Sequence, residues 1–229
     1  MRTGVPPQAV QPVTVRLRLL RSVEMIAVFF ALPVALVPLA GRTPRLLLLA
    51  VAALACGISL WRNGRLDRRS LGRPRTHLRA LFWRLGARAA VSIAVLSLIQ
   101  VAIDPSGAWA PPRREPLEWL RFALVYPVVS ACPQEVIYRA YFFHRYACLF
   151  RRPGSLVWTS AAAFAAVHLV YQNPAAPLLA LAAGYWFGTT YARTRSLPAV
   201  AVEHALIGNI VFAVGLGAFF GAPPGGAVP

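Results

Sequence analysis

Long apolar runs separated by short polar connections extend over most of the chain. Most runs are close to the about 20 residues that a helix needs to cross the hydrocarbon core of a bilayer. Because lipid offers the backbone no hydrogen-bond partners, each run is predicted to be a helix. The predicted spans are 22–41, 45–61, 87–103, 118–150, 155–171, 175–192 and 197–220. The predicted fold class is therefore all-α, a polytopic integral membrane helical bundle with about seven transmembrane helices and a range of about six to eight.

The span 118–150 is too long for one perpendicular crossing and has Pro133 near its middle. A kinked or strongly tilted helix fits this pattern, and so does a pair of helices with a re-entrant break. We expect a flexible basic N-terminal tail over 1–21 and a flexible C-terminal tail over 221–229. The remainder, 22–220, is predicted to be a single membrane domain.

Composition and charge agree with a membrane protein and argue against a nucleic-acid partner. The 229 residues are 58% hydrophobic, which is more than the surface of a soluble domain of this size allows. The net charge of +17 comes from arginine alone, without any lysine, which suggests a GC-rich bacterial genome. The arginines lie in connections between apolar runs, notably 62–79, so the positive-inside rule explains them. The lipid bilayer is the expected partner, and no nucleic acid is expected.

The same arginines predict an orientation. If every span crosses once, the N-terminal tail, the 62–79 connection, the Arg151–Arg152 turn and the Arg193/Arg195 turn fall on one side. The positive-inside rule makes that side cytoplasmic. The predicted location is the bacterial cytoplasmic (inner) membrane, as a multi-pass protein with a cytoplasmic N-terminus.

Ionisable side chains inside the apolar spans are the candidate chemistry, because each costs about 2.5–3.5 kcal/mol at the centre of a membrane helix. Glu135 and Arg139 are four residues apart and share one helical face, and an intramembrane ion pair is the simplest reading of them alone. His168 lies in the next span, and Glu203 with His204 in the last one. Acids and histidines in three such spans predict one buried polar chamber.

Such a chamber could activate water. A carboxylate can take a proton from water, a histidine can orient that water, and an amide such as that of Asn209 can donate to an oxyanion. Glu135, His168 and His204 are also a set that could hold a divalent metal such as zinc. The spacing shows no HExxH, so the metal-free and the zinc alternatives both stay open.

Three motifs carry a resemblance to a known family. In order, "QEVIYRAYFFHRY", "FAAVH" and "VEHALIGN" provide a Glu-xxx-Arg helix, Phe-xxx-His and a later His followed by Asn. Over about 118–212 the chain resembles the CPBP family of intramembrane endopeptidases, also called Abi, bacteriocin-processing or CAAX-protease-like, which includes the Ras-converting endopeptidase of eukaryotes. The resemblance implies a multi-helical fold with its polar site inside the membrane. It also implies endopeptidase activity, described for studied members as glutamate-dependent and earlier as metal-dependent.

The resemblance carries over to single positions. Glu135 and Arg139 match the first motif, Phe164 and His168 the second, and His204 the third.

Two positions depart from the family pattern. Gln134 holds the position that usually carries the catalytic Glu, and an amide cannot serve as a general base. Either Glu135 takes that role, or the protein is not a protease of the usual kind. Gly208 holds the position four residues after His204, and Asn209 is one residue further on. Asn209 could therefore reach the site only if the helix were locally wound or broken, which Gly208 could permit.

The function expected from residues and resemblance together is an intramembrane endopeptidase that cleaves a membrane-anchored protein or peptide. The expected catalytic residues are Glu135, His168, His204 and Asn209, with Gln134, Arg139 and Phe164 in support. No cofactor is expected, and zinc at Glu135, His168 and His204 is the alternative. The alternative functions are a non-catalytic membrane protein of the same family, such as a bacteriocin-immunity factor or an assembly scaffold, and a small transporter or proton relay.

Overall fold

The computed structural model describes residues 14–39, 44–64 and 77–221, and these residues form helices and no strands. Seven long helices match the seven predicted spans in order. They are α1 (Val15–Leu39), α2 (Arg45–Arg62), α3 (Leu78–Ile103), α4 (116–149), α5 (Pro153–Tyr171), α6 (Ala175–Thr194) and α7 (Leu197–Val214). Five of them, α1, α2, α3, α5 and α7, are long and apolar enough to cross a membrane by length and composition. The predicted all-α membrane bundle is thus confirmed.

Several helix ends differ from the predicted boundaries. α1 begins at Val15, inside the predicted N-terminal tail, with the Thr14 side chain accepting a hydrogen bond from the Leu17 amide at 3.3 Å. α3 begins at Leu78, well before the predicted start at 87. The remaining parts of the predicted tails, 1–13 and 222–229, and most of the basic connection, 65–76, lie outside the described residues.

The long α4 is one helix without a re-entrant break, and its winding changes around its two internal prolines, Pro127 and Pro133. Regular turns alternate with π-helical segments at Pro127–Ala131 and Val136–Tyr141, and the helix ends in a short 3₁₀ turn. Proline removes a backbone donor, and a wider π turn is one way to accommodate the missing bond. Glu135 is the last residue of a regular turn, and the second π segment, which contains Arg139, begins directly after it. The wider winding therefore occurs where the polar side chains of α4 enter the core.

The core of the molecule lies in α4 to α7. In the most apolar part of α2 only 6% of residues are buried, whereas the figure for α7 is 56%. Large apolar side chains on α1 to α3 are exposed instead, as Leu54 and Leu98 illustrate at 65% and 71%. Exposure of this extent fits a lipid-facing surface, since the exposed face of a membrane helix is apolar.

α5 and α6 pack closely because small residues line their contact. Gly184 and Gly188 are one turn apart on α6, a spacing typical of close helix pairs in membranes. A Cβ atom at Gly184 would come within 3.2 Å of the Ala161 Cα atom, and one at Gly188 within 3.1 Å of a Val157 methyl group. The absence of side chains at these glycines sets the distance between the two helices.

The helices alternate in direction, so their ends gather at two ends of the bundle. At one end Arg21 donates to the Cys148 thiol at 2.8 Å. At the other end the Arg45 guanidinium lies 5.2 Å from the centre of the Tyr171 ring. The Arg151–Arg152 turn follows α4 and therefore lies at the Arg21 end.

A turn between α3 and α4 covers the end of α7 that is away from Arg21. The Asp104 carboxylate accepts hydrogen bonds from the Ser106 amide and hydroxyl at 3.0 and 2.7 Å, and the hydroxyl bond lowers the pKa of this carboxyl below its usual value. α7 ends at Val214, and the next residue, Gly215, has a φ of 106°. The helix is therefore shorter than the predicted span, which extended to 220. A Cβ at Gly215 would come within 2.5 Å of the Gly107 carbonyl oxygen, so only glycine permits this contact.

Candidate active site

Glu135, Arg139 and His204 form a buried polar cluster between α4 and α7. One oxygen of the Glu135 carboxylate lies 2.7 Å from Nδ1 of His204, and the other lies 3.1 Å from Nε of Arg139. Glu135 and Arg139 are fully buried, and His204 is 4% exposed. The predicted ion pair between Glu135 and Arg139 therefore exists, and His204 extends it into a triad of side chains.

Arg139 is surrounded by aromatic rings instead of water. Its guanidinium carbon lies 4.7 Å from the centre of the Phe164 ring and 5.3 Å from that of Phe187. Its Nη2 donates to the Gly184 carbonyl oxygen at 3.1 Å. Cation–π contacts and a carbonyl acceptor compensate part of the cost of burying the charge. Glycine at 184 brings α6 close enough to α5 for this arrangement.

The orientation of the His204 ring is fixed by its neighbours. The ring stacks on Phe187 with 4.6 Å between centres and an angle of 20°, and the edge of Phe164 approaches at 5.5 Å. With a carboxylate at Nδ1, the proton of the neutral imidazole lies on that nitrogen, and Nε2 is left as an acceptor. Since both Glu135 oxygens face protein groups, Nε2 is the basic atom of this cluster that remains without a protein partner among the described residues.

His168 lies on α5 beside the same cluster but is not bonded to it. Its Nδ1 lies 2.7 Å from the Phe164 carbonyl oxygen, and its ring centre lies 4.7 Å from that of Phe164. A carbonyl oxygen can only accept, so Nδ1 carries the proton and Nε2 of His168 is also an acceptor. Phe164 thus contacts both histidines and Arg139, which makes it the packing centre of the site.

A cavity of about 730 Å³ lies next to this cluster. His168 and His204 line it, whereas Glu135 lies behind His204 and does not. Further polar side chains of its wall belong to Tyr126, Ser130 and Gln134 on α4 and to Tyr171 on α5. The remaining wall is mainly apolar. Charged groups lie at the end of the cavity away from Arg21, and these are Arg45, Glu118 and Arg121.

Gln134 and Asn209 differ in their relation to the cavity. Gln134 lines it, and its amide nitrogen donates to the Ser130 hydroxyl at 2.7 Å. Asn209 is not part of the wall. Its amide nitrogen donates instead to the Ala123 carbonyl oxygen of α4 at 3.2 Å. α7 is a regular helix through Gly208, so the break that would turn Asn209 toward His204 is absent from this helix.

The described residues contain no group of three or more His, Cys, Asp or Glu that could hold a metal ion. Glu135 and His204 are directed at each other, and Nδ1 of His168 is directed at a backbone carbonyl. The side chains of the zinc alternative therefore lie in one region without forming a ligand set, so they do not fit the metal.

A second buried ion pair accounts for Glu203. The carboxylate, 1% exposed, pairs with Arg88 of α3, which also donates to the hydroxyls of Thr189 and Thr190 at 2.9 Å and to the Trp186 carbonyl at 3.0 Å. Glu203 thus ties α7 to α3 and does not enter the cavity. Arg88 was detectable in the sequence as an arginine just inside an otherwise apolar span.

Tyr126 is a polar residue of the cavity wall that the sequence analysis missed. Its ring centre lies 6.1 Å from that of His204 and 5.8 Å from that of Phe212. A tyrosine in an apolar run has no distinctive signal, because aromatic residues are common in membrane helices.

Comparison with known proteins agrees with this site. The family model described as type II CAAX prenyl endopeptidase Rce1-like matches residues 116–221. The matched segment covers α4 to α7 and includes the Glu135–Arg139–His204 cluster. The match confirms the resemblance carried by the three motifs: over residues 116–221 the chain is similar to the CAAX protease (CPBP) family, whose members are intramembrane proteases. No curated protein and no solved structure matches the chain.

Proposed function

We propose that the protein is an endopeptidase that hydrolyses a peptide bond inside the membrane, with His204 as the base and Glu135 as its positioning residue. The observation that carries this proposal is the 2.7 Å contact between Glu135 and His204 Nδ1 at the wall of a cavity. The sequence analysis assigned the proton transfer to Glu135 itself. The burial of Glu135 behind His204 favours the histidine as the group that meets water.

In the proposed reaction, Nε2 of His204 accepts a proton from a water molecule in the cavity while that water's oxygen attacks the scissile carbonyl carbon. The charge formed on the imidazolium is stabilised by the Glu135 carboxylate at Nδ1. The tetrahedral intermediate then breaks its C–N bond, and His204 returns the proton to the leaving amine nitrogen. The products are a new carboxyl terminus and a new amino terminus, with one water consumed.

Arg139 and His168 have supporting parts in this mechanism. Arg139 offsets the negative charge of Glu135 in a region of low dielectric and holds the carboxylate toward His204. His168 presents a second acceptor nitrogen to the cavity and can hold the attacking water by accepting one of its hydrogens.

The shape of the cavity supports a membrane-anchored substrate. Its wall includes Leu46 and Leu47 of α2 and Val125 and Val129 of α4, which are 41–60% exposed on the outer surface of the bundle. The cavity therefore reaches the lipid-facing surface between α2 and α4. We infer that an apolar segment of a membrane-anchored protein or peptide enters there, and that the host membrane is the bacterial inner membrane with the arginine-rich connections in the cytoplasm.

A non-catalytic member of the family is the second candidate, and Gln134 is the observation that favours it. An amide cannot act as a general base, and Gln134 lines the cavity at the position where the family usually has Glu. The variant Gln134→Glu separates the two functions. A working site loses activity because a new carboxylate disturbs the Glu135–His204 pair, whereas a non-catalytic site gains activity or stays inactive.

The experiment that tests the proposed function is a comparison of peptide termini in membranes. Cells without the gene receive wild-type protein, His204→Ala or the control His77→Ala, which lies outside the cavity at the start of α3. Mass spectrometry should find new termini in one or more membrane proteins with wild type and with His77→Ala, and none with His204→Ala. Identical termini in all three membranes at equal protein levels would overturn the proposal.

A further inference from the structure

A hydrolytic site needs a hydrogen-bond donor for the oxygen that becomes negative in the tetrahedral intermediate. Neither neutral histidine supplies one, because Nδ1 of His204 faces Glu135 and Nδ1 of His168 faces the Phe164 carbonyl. The proton that Nε2 of His204 takes from water is needed at the leaving amine nitrogen. Both imidazoles therefore turn acceptor nitrogens toward the cavity. Asn209 is the donor expected from the sequence, but its amide nitrogen donates to the Ala123 carbonyl oxygen. The donor must come from another residue of the wall.

Tyr126 meets the requirements for this donor. It lines the cavity, its ring lies edge-on to His204, and its hydroxyl has no hydrogen-bond partner within the described residues. The ring is held by stacking on Phe122 at 5.2 Å and by contact with Phe212 at 5.8 Å. A ring fixed in this way presents its hydroxyl without rearrangement, as electrostatic stabilisation of an intermediate requires.

Gly208 explains how the hydroxyl reaches this place. The residue lies one helical turn after His204 on α7, and a Cβ atom there would clash with the Tyr126 hydroxyl and come within 2.6 Å of the ring carbon that carries it. Any side chain at 208 would thus push Tyr126 out of its position. Glycine here serves the close approach of a side chain, since its backbone is regular helix.

We propose that Tyr126 is a catalytic residue whose hydroxyl donates to the oxyanion, in a space on α7 that Gly208 keeps open. This inference rests on the proposed hydrolytic function and adds the residue that stabilises its intermediate. Ser130 and Gln134 are the other polar side chains of α4 in the wall, and Gln134 donates to Ser130. Tyr171 of α5 is the second tyrosine of the wall, and its ring lies beside the Arg45 guanidinium at the charged end of the cavity.

The first test is Tyr126→Phe, which removes the hydroxyl and keeps the ring. With the membrane substrate identified from the mapped termini, kcat should fall about 100- to 1000-fold, as when one oxyanion donor is removed, and KM should stay within about threefold. The matched control is Tyr185→Phe, whose ring stacks on Trp158 at 4.3 Å away from the cavity. The control should retain kcat within about threefold.

The second test exchanges the donor between the two helices. Tyr126→Ala should lose activity, and Tyr126→Ala with Gly208→Asn should regain about tenfold or more, because the amide at 208 extends into the vacated space. Wild-type kcat in Tyr126→Phe, or no regain in the double variant at normal protein levels, overturns the inference while the His204 mechanism stands. Absence of cleavage by wild type itself would instead overturn the proposed function.

Discussion

Glu135 directs both carboxylate oxygens at protein groups, His204 on one side and Arg139 on the other. A fully buried carboxylate without such partners would be far too costly in an apolar core. Glu135 therefore has a structural role, and in the proposed mechanism it also positions His204. The variants of this residue should show the two roles separately, one in stability and one in catalysis.

Glu135→Gln should lower the stability of the protein by about 3–5 kcal/mol, because Arg139 loses its carboxylate while remaining fully buried. The matched control is Glu118→Gln, which breaks an ion pair with Arg121 whose side chains are 54% and 64% exposed. That change should cost about 1 kcal/mol or less. Thermal unfolding in lipid nanodiscs gives the comparison, and equal shifts for the two variants would contradict the structural role of Glu135.

The site residues that could be predicted are those with an ionisable side chain in an otherwise apolar run of the sequence. Glu135, Arg139, His168 and His204 stand out in the sequence for this reason, and the structure brings all four to one region. Their pairing was not predictable, because a one-dimensional spacing cannot show that His204 lies between Glu135 and the cavity. Asn209 was expected at the site, but each residue turns a helix by about 100°, and the Asn209 amide donates to the Ala123 carbonyl oxygen instead. Tyr126 was missed because a tyrosine in an apolar run gives no distinctive signal in the sequence.

At the scale of helices, the close approach of α5 and α6 depends on residues without bulk. Gly188→Ala should destabilise the protein by about 1–3 kcal/mol, since its Cβ would press on a Val157 methyl group at 3.1 Å. Adding Val157→Ala should restore part of the loss, because the methyl group that is in the way is then absent. The measurement is the thermal midpoint of the single and double variants.

The control for this prediction is Gly57→Ala on α2. Nothing lies within 4 Å of a Cβ at this position, so the change should be neutral or stabilise by about 0.5–1 kcal/mol through the better helix propensity of alanine. If Gly57→Ala and Gly188→Ala shift the midpoint by the same amount, the close packing of α5 and α6 is not what makes Gly188 necessary.

The link between α3 and α7 gives a further prediction. Arg88→Met leaves Glu203 buried with a charge and should destabilise by about 3–5 kcal/mol, whereas Arg88→Met with Glu203→Met should cost clearly less. Unfolding of the two variants in the same nanodiscs decides this. A double variant less stable than the single one would show that the ion pair does not account for the effect.

The apolar runs predicted which segments form helices, but they predicted the ends of those helices less accurately. The number and order of the long helices follow from the runs, since each must pair its backbone internally in lipid. The π segments of α4 and the early start of α3 do not follow from hydropathy. They depend on where proline removes a backbone donor and on which polar residues, such as Arg79 and Arg84, extend a helix beyond its apolar part.

For the whole molecule, the arrangement of basic turns predicts the orientation in the membrane. In a chain with Cys56, Cys132 and Cys148 replaced by Ala, a single cysteine at Glu115 should react with an impermeant maleimide in intact cells. A single cysteine at Arg151 should react only after permeabilisation, because the positive-inside rule places its turn in the cytoplasm. Both positions are exposed, so accessibility alone does not distinguish them. The opposite labelling pattern would reverse the proposed orientation and place the charged end of the cavity, at Arg45, Glu118 and Arg121, on the cytoplasmic side.

The central claim is that the Glu135–His204 pair activates water to hydrolyse a peptide bond within the membrane. Its most direct measurement is cleavage of the mapped substrate by purified protein in nanodiscs in water enriched in oxygen-18. Mass spectrometry of the new carboxyl terminus should show one oxygen-18 atom with wild type and with Ser130→Ala, and no product with His204→Ala. Product formed by His204→Ala at the wild-type rate, or a new carboxyl terminus without the label, would contradict the account.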